Sequence, residues 1–413
     1  MRKLVQGLLG LTMLLSGVAD LYAQDSMSAR PLNAKERAAL FPTPASIEQG
    51  RELAAAQCGS CHGLDGVSTD PARPHLAGQR SVYLYREMLA YREGSRTDPQ
   101  MREAIAFLDA DALLMTAVYY ASLMPPFNRE LADSAEEVRD ALNDDPLTAV
   151  KAATAGCGSC HGAGGNSTVP GMPSLTAQHP GYFFDSMKAY QQGERTHSMM
   201  QMLVAALDED TITGMGTYYA LQEPRAKAPA GAGDPVAGRL LAQACANCHG
   251  ADGNASGAEM PSLAGQDPVY LVKAMQDYLN GQREHGPMQS AMQGLDEQQI
   301  KDMAAFYVSQ TPIARRVRPP LAAAQWLERC DRCHGVGGNS TDPRYARLSG
   351  QNEQYLVSVL EDYADGERSD SIMHAMSEPL SAGIIARLAT YYAAQEPRSV
   401  VYFELPCNDQ GRQ

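Results

Sequence analysis

Positive charge is scarce in this sequence. Lys and Arg number 34 against 48 Asp and Glu, a net charge of −14 at neutral pH. So acidic a surface argues against nucleic-acid binding and suits partners with positive docking patches, although solubility alone produces the same balance. Strand signals are nearly absent, and the fold class expected is all-α. Beyond the N-terminus no apolar run reaches the roughly 20 residues of a membrane-spanning helix, so the rest is expected to be soluble. Cysteine outside one recurring string is limited to Cys407, near the C-terminus, which has no partner in the chain. It is expected to be a free thiol, with an intermolecular disulfide as the alternative.

The recurring string is Cys-x-x-Cys-His. It occurs at Cys58–Cys61–His62, Cys157–Cys160–His161, Cys245–Cys248–His249 and Cys330–Cys333–His334. This is the attachment signal of a c-type haem. Two thiols one helical turn apart reach the two vinyl groups of one porphyrin, and the following His presents its imidazole to the iron. A single copy also suits a zinc or thiol-redox site. Four copies using eight of nine cysteines point to four covalently bound haem c groups.

Export fits this chemistry, because haem is joined to thiols outside the bacterial cytoplasm. Arg2 and Lys3 form a positive start, Leu4 to Val18 is apolar, and Ala23 (or Ala19) is a small residue suited to cleavage. Residues 1–23 are therefore read as a signal peptide and the periplasm as the destination, with an uncleaved anchor as the rival.

The strings open a longer repeat. A Met follows each haem His by 39 residues: Met101, Met200, Met288 and Met373. Each stands five residues after the Arg of a Gly-x-Arg turn, at Arg96, Arg195, Arg283 and Arg368. Upstream lie Leu76, Leu175, Leu263 and Leu348, then Tyr83, Tyr182, Tyr270 and Tyr355, and eight residues later Tyr91, Tyr190, Tyr278 and Tyr363. That spacing places both tyrosines near one helical face. Eighteen residues past each Met comes Tyr119-Tyr120, Tyr218-Tyr219, Phe306-Tyr307 or Tyr391-Tyr392. A small residue eight before each first Cys (Gly50, Ala149, Ala237, Ala322) marks a close helix crossing. The domains are expected at 30–128, 129–225, 226–313 and 314–400, with 401–413 as a tail. Arg315, Arg316 and Arg318 form a basic cluster at the third junction, expected to pair with carboxylates of a neighbouring domain, with a docking spot as the alternative.

Met is common in cores, but the constant offset of 39 marks Met101, Met200, Met288 and Met373 as the sixth ligands. His75, His179, His197, His285 and His374 are the rivals, and none holds register in all four copies. A thioether favours ferrous iron and raises the potential relative to a second imidazole. With both axial positions filled, the site is suited to carrying single electrons.

Each repeat resembles a class I cytochrome c domain, and the motifs are most similar to the cytochrome c4 family, periplasmic carriers built of two such domains. The resemblance rests on Cys-x-x-Cys-His-Gly, Pro-x-Leu-x-x-Gln, the Gly-x-Arg turn and the Met, and spans nearly all of residues 46–396. It implies a small helical fold wrapped around each haem, with the carbonyl of Pro74, Pro173 or Pro261 accepting a hydrogen bond from the haem His. The fourth copy departs, with Ala346 in place of that Pro.

The expected function is a tetrahaem electron carrier. A dehydrogenase or quinol-oxidising complex would donate electrons, and an oxidase or reductase would accept them. A haem subunit of an alcohol or sulfide dehydrogenase complex, associated with a membrane complex, is the alternative. A dihaem-type peroxidase is a third reading, against which the four registered Met residues speak.

Overall fold

A computed structural model describes residues 30–133, 135–228, 233–400 and 402. The proposed signal segment and Cys407 lie outside the described residues. Among the described residues the chain is helical, with no strands and only two isolated bridges, Arg96 to Arg368 and Arg195 to Arg283. No single helix there is long and apolar enough to cross a membrane.

The chain divides into two compact units, and the division is nested. Of the described residues, those of 30–144 and 321–400 form the first, and those of 145–320 form the second. The first repeat therefore packs with the fourth, and the second with the third.

In the first unit, the opening repeat runs through helices Pro44–Gln57, Ser81–Glu93, Pro99–Ile105 and Ala110–Ser122. The closing repeat follows the same order in Ala323–His334, Glu353–Ala364, Ser371–Ser377 and Ala382–Ala393. Each last helix carries its aromatic pair into the core. Tyr119 and Tyr120 are buried among Leu84, Ile105, Leu113 and Ala117, and Tyr391 and Tyr392 among Trp326, Leu356 and Leu388. Burying one such large side chain stabilises the fold by roughly 1.5–3 kcal/mol.

The second unit repeats the plan. Its helices are Thr148–Thr154, Pro180–Gln192, Ser198–Val204 and Glu209–Ala220, then Pro235–Leu241, Pro268–Leu279, Gly286–Met292 and Glu297–Ser309. Asp208 and Asp296 cap the two last helices through their carboxylates, as Asp109 does in the first unit.

Three expectations need correction. Residues 129–144, read as the start of the second domain, belong to the first unit. Leu142 is buried in the core of the closing repeat with Val138 beside it, because these two apolar side chains find their partners on the last helix. Residues 314–320, read as the start of the fourth domain, belong to the second unit. There Arg315 donates not to a carboxylate but to the carbonyls of Ala177 (2.9 Å) and Ala255 and to the Ser262 hydroxyl (2.9 Å).

The close crossing holds at Gly50, where a Cβ would lie 2.1 Å from the Met115 carbonyl oxygen. In the third copy it falls one residue later, at Gly238, 1.9 Å from the Asp302 oxygen. In the fourth the buried small residue is Ala323. Ala149 of the second copy is exposed, and there the last helix supplies the glycine: Gly214 faces Val150.

Candidate metal centres

Each haem His ends a short helical turn: Gly59–His62, Gly158–His161, Ala246–His249, and the last turn of Ala323–His334. The turn stops at a glycine with φ between 74° and 80°, at Gly63, Gly162, Gly250 and Gly335. A Cβ at any of these would meet backbone oxygen at 2.6 Å or less. Only glycine fits, and the chain can then fold back beneath the imidazole.

That return sets the geometry of the four histidines. His62 Nδ1 lies 3.2 Å from the Pro74 carbonyl oxygen, and His161 Nδ1 2.8 Å from that of Pro173. His249 Nδ1 lies 3.0 Å from Pro261 O, and His334 Nδ1 2.9 Å from Ala346 O. The missing proline of the fourth copy therefore costs no acceptor. Burial holds all four imidazoles below the ordinary histidine pKa, so they are neutral at pH 7. A carbonyl at Nδ1 assigns the proton there and leaves the Nε2 lone pair as the donor. His62 Nε2 is buried with no hydrogen-bond partner, which is the position of a metal-ligating nitrogen.

The cysteines fit the same group. None of the eight motif cysteines is in a disulfide. Burial pushes Cys58 and Cys330 up to about 11 and raises Cys245. Thiol-redox sites run the other way, with depressed values. Among the described residues no three His, Cys, Asp or Glu side chains converge to hold an ion, as a zinc site requires. Paired thiols beside a lone imidazole suit a covalently attached haem.

Each registered Met occupies the third position of a seven-residue helix, half-buried. A side chain at the N-cap accepts its backbone N–H: Asp98 for Met101 (2.9 Å), His197 for Met200 (3.3 Å), His285 for Met288 (3.3 Å) and Asp370 for Met373 (3.0 Å). Met101, Met200 and Met288 pack on the same core as the first Cys of their repeat. In the fourth repeat Met376, one turn further along, packs with Cys330.

The rival histidines have structural work. His197 and His285 cap helices through Nδ1, a role the sequence signalled by Asp in register at 98 and 370. His179 accepts from the Gly181 N–H, and His75 from the Ser68 N–H (3.0 Å). His374 Nδ1 lies 2.7 Å from the Tyr363 carbonyl oxygen.

The Gly-x-Arg turns converge within each unit. Arg96, Arg195, Arg283 and Arg368 stack on Tyr91, Tyr190, Tyr278 and Tyr363, the second tyrosine of each repeat. In the first unit Arg96 donates to the Tyr355 hydroxyl, Arg368 to that of Tyr83, and Glu87 pairs with both arginines. Burial would raise the Glu87 carboxyl, but the two guanidiniums outweigh it and hold it below the carboxylate range. In the second unit Arg195 and Arg283 share the Tyr182 hydroxyl, and Ser186 stands where Glu87 stands in the first.

Comparison with known proteins agrees with this chemistry. The cytochrome c family model matches residues 47–113 and 236–311. Cytochrome c4 of Azotobacter vinelandii is 33% identical, over 39% of this chain and 88% of that protein. This chain belongs to the cytochrome c4 family. A protein of Stutzerimonas stutzeri (strain A1501) named thiosulfate dehydrogenase electron acceptor is 29% identical, over 37% of this chain and 79% of its own length. A solved cytochrome c4 structure from Acidithiobacillus ferrooxidans is 28% identical, with a TM-score of 0.35, covering 38% of this chain and 99% of that one.

Like its cytochrome c4 relatives, the chain is an electron carrier and not an enzyme, built of repeated class I cytochrome c domains that bind haem c covalently.

Proposed function

We propose that the chain carries four haems c and passes single electrons between redox proteins of the periplasm. The ligand pairs are His62/Met101, His161/Met200, His249/Met288 and His334/Met373, and the thioether bonds form at Cys58 and Cys61, Cys157 and Cys160, Cys245 and Cys248, and Cys330 and Cys333. The observation carrying this reading is the fourfold recurrence of one local geometry: a neutral imidazole anchored through Nδ1 to a carbonyl twelve residues on, and a Met N–H held by an N-cap side chain.

Haem held by these histidines and methionines would supply an iron that gains or loses one electron. The residues hold that state. The carbonyl fixes the imidazole plane and proton, and the capped turn sets the Met. The apolar core around Tyr120, Tyr219, Tyr307 and Tyr392 excludes water. The export-like segment Leu4–Val18 supports the periplasmic assignment.

A second reading, as electron acceptor of a dehydrogenase, draws on the relative named for thiosulfate dehydrogenase. It leaves the four centres unchanged and adds a donor that oxidises a sulfur oxyanion.

The test is a haem count on periplasmic protein by pyridine haemochrome, together with the weak far-red band of Met sulfur on ferric iron. Four haems per chain with full band intensity are expected. Two haems, or no far-red band, would refute the assignment.

A further inference from the structure

The glutamine that closes each Pro-x-Leu-x-x-Gln segment, or its Ala346 counterpart in the fourth repeat, bonds beyond its own repeat. Gln79, Gln178, Gln266 and Gln351 are all buried, at 5–8% exposure. Each reaches across to the paired repeat in its unit. Gln351 Oε1 accepts the His75 N–H (2.7 Å), and its Nε2 donates to the His75 carbonyl (2.9 Å). Reciprocally, Gln79 Oε1 accepts the Arg347 N–H (2.7 Å), and its Nε2 donates to Arg347 O (2.8 Å). In the second unit Gln178 grips Ser262 (2.9 and 2.8 Å), and Gln266 grips Ser174 (2.7 and 2.9 Å).

The gripped residue always follows the carbonyl that holds a haem His. The Pro74 C=O and the His75 N–H belong to one peptide group, as do Pro173–Ser174, Pro261–Ser262 and Ala346–Arg347. A continuous chain results: imidazole Nδ1–H to carbonyl oxygen, through the planar amide, then N–H to a glutamine oxygen of the other repeat. Hydrogen bonds in series polarise one another, most strongly in a buried setting. An acceptor on the amide N–H makes the carbonyl a better acceptor for Nδ1–H. The imidazole then gains anionic character and becomes a stronger donor through Nε2.

We propose that each glutamine is a positioning residue for the centre of the opposite repeat: Gln351 for His62, Gln79 for His334, Gln266 for His161 and Gln178 for His249. The inference rests on the reading of those histidines as iron ligands. Each repeat thereby sets the ligand strength, and so lowers the potential, of the centre it faces. Domain pairing becomes part of the redox property and not only of the packing.

The experiment uses the full chain with its haems attached. Gln351→Leu and Gln79→Leu are compared with the unsubstituted protein in a redox titration that follows the haem methyl signals of each centre by NMR. Gln351→Leu is expected to raise the potential of the His62 centre, shifting its ferric–ferrous equilibrium about threefold or more, while the His334 centre of its own repeat stays closer to its original value. Gln79→Leu should do the reverse. If either variant fails to fold, Gln178→Leu reads the same rule on the His249 centre. A shift confined to the variant's own repeat, an equal shift of all four centres, or no shift would overturn the proposal. Failure of the underlying reading looks different: the unsubstituted protein would have fewer than four haems or lack histidine ligation, and the proposal would fall with it.

Discussion

A single side chain separates a packed helix from a ligand here, and register distinguishes the two. The proposal of Met101 as a ligand rests on an offset from the motif His that recurs four times, whereas the other methionines hold no register. Met101→Leu should therefore remove about a quarter of the far-red band and lower the potential of one centre only, since an apolar isostere keeps the packing but loses the thioether. An unchanged spectrum would remove Met101 from the ligand set. The same variant at Met373 decides between it and Met376. Glu36 makes a separate case. It is fully buried against Arg86, itself 2% exposed, and also accepts from the Asn33 N–H and from Arg30. Burial would raise its carboxyl, but these partners outweigh burial and hold it below the usual carboxylate range. A depressed carboxylate stabilises the fold above its unfolded value of about 4.3, and that contribution is lost as pH falls through the folded value. Glu36→Gln should destabilise the first unit by about 3 kcal/mol near pH 7 and flatten its acid sensitivity below about pH 4, measured by urea unfolding across pH. What the sequence hid at this scale was any hydrogen bond made to a backbone distant in the chain. Gln79 and Gln351 stood in a motif, yet nothing local signals a partner more than 250 residues away.

At the scale of the element, the last helices of the first three repeats are capped by the side chains of Asp109, Asp208 and Asp296, a local device, while Ser381 stands at the N-cap of the fourth without a side-chain bond. The helix crossings were read less well. They depend on which of two facing helices offers the small residue, and only the fold decides that. The consequence is measurable. Gly50→Ala and Gly238→Ala force a methyl into backbone 2.1 and 1.9 Å away, and each should cost about 1–3 kcal/mol by thermal unfolding. Ala149→Ser, on an exposed face, should cost nothing measurable. Equal effects at all three positions would contradict the crossing geometry described.

For the whole molecule, identical registers made the pairing of repeats illegible, since any copy could have packed with any other. One clue lay in the departure of the fourth copy. Arg347 stands where the second and third copies have Ser, and its guanidinium donates to the carbonyls of Gly78 (2.6 Å) and Ala77 (2.7 Å) of the first repeat. The two units also differ in a half-buried carboxylate at their paired turns. Glu87 sits between two arginines in the first, and Ser186 takes that place in the second. Glu87 offsets the positive charge of Arg96 and Arg368 in the unit that holds His62 and His334, and less positive charge favours ferric iron, so those two centres are expected at lower potential than they would hold without it. Glu87→Gln should raise both by about 1 kcal/mol equivalent and leave the His161 and His249 centres unmoved, read by the same titration. The nested order has a further consequence, for the way the chain is made. The second unit is continuous and has all of its sequence once Pro320 has emerged, whereas the first must keep residues 30–144 waiting for 321–400. Its two ends are already joined there, with the Ala324 N–H on the Leu142 carbonyl at 2.9 Å. Residues 145–320 therefore behave as a cassette set into a loop. Cutting the cassette out and splicing Asp144 to Leu321 should leave a shorter, self-sufficient two-haem protein that folds sooner than its parent's outer half.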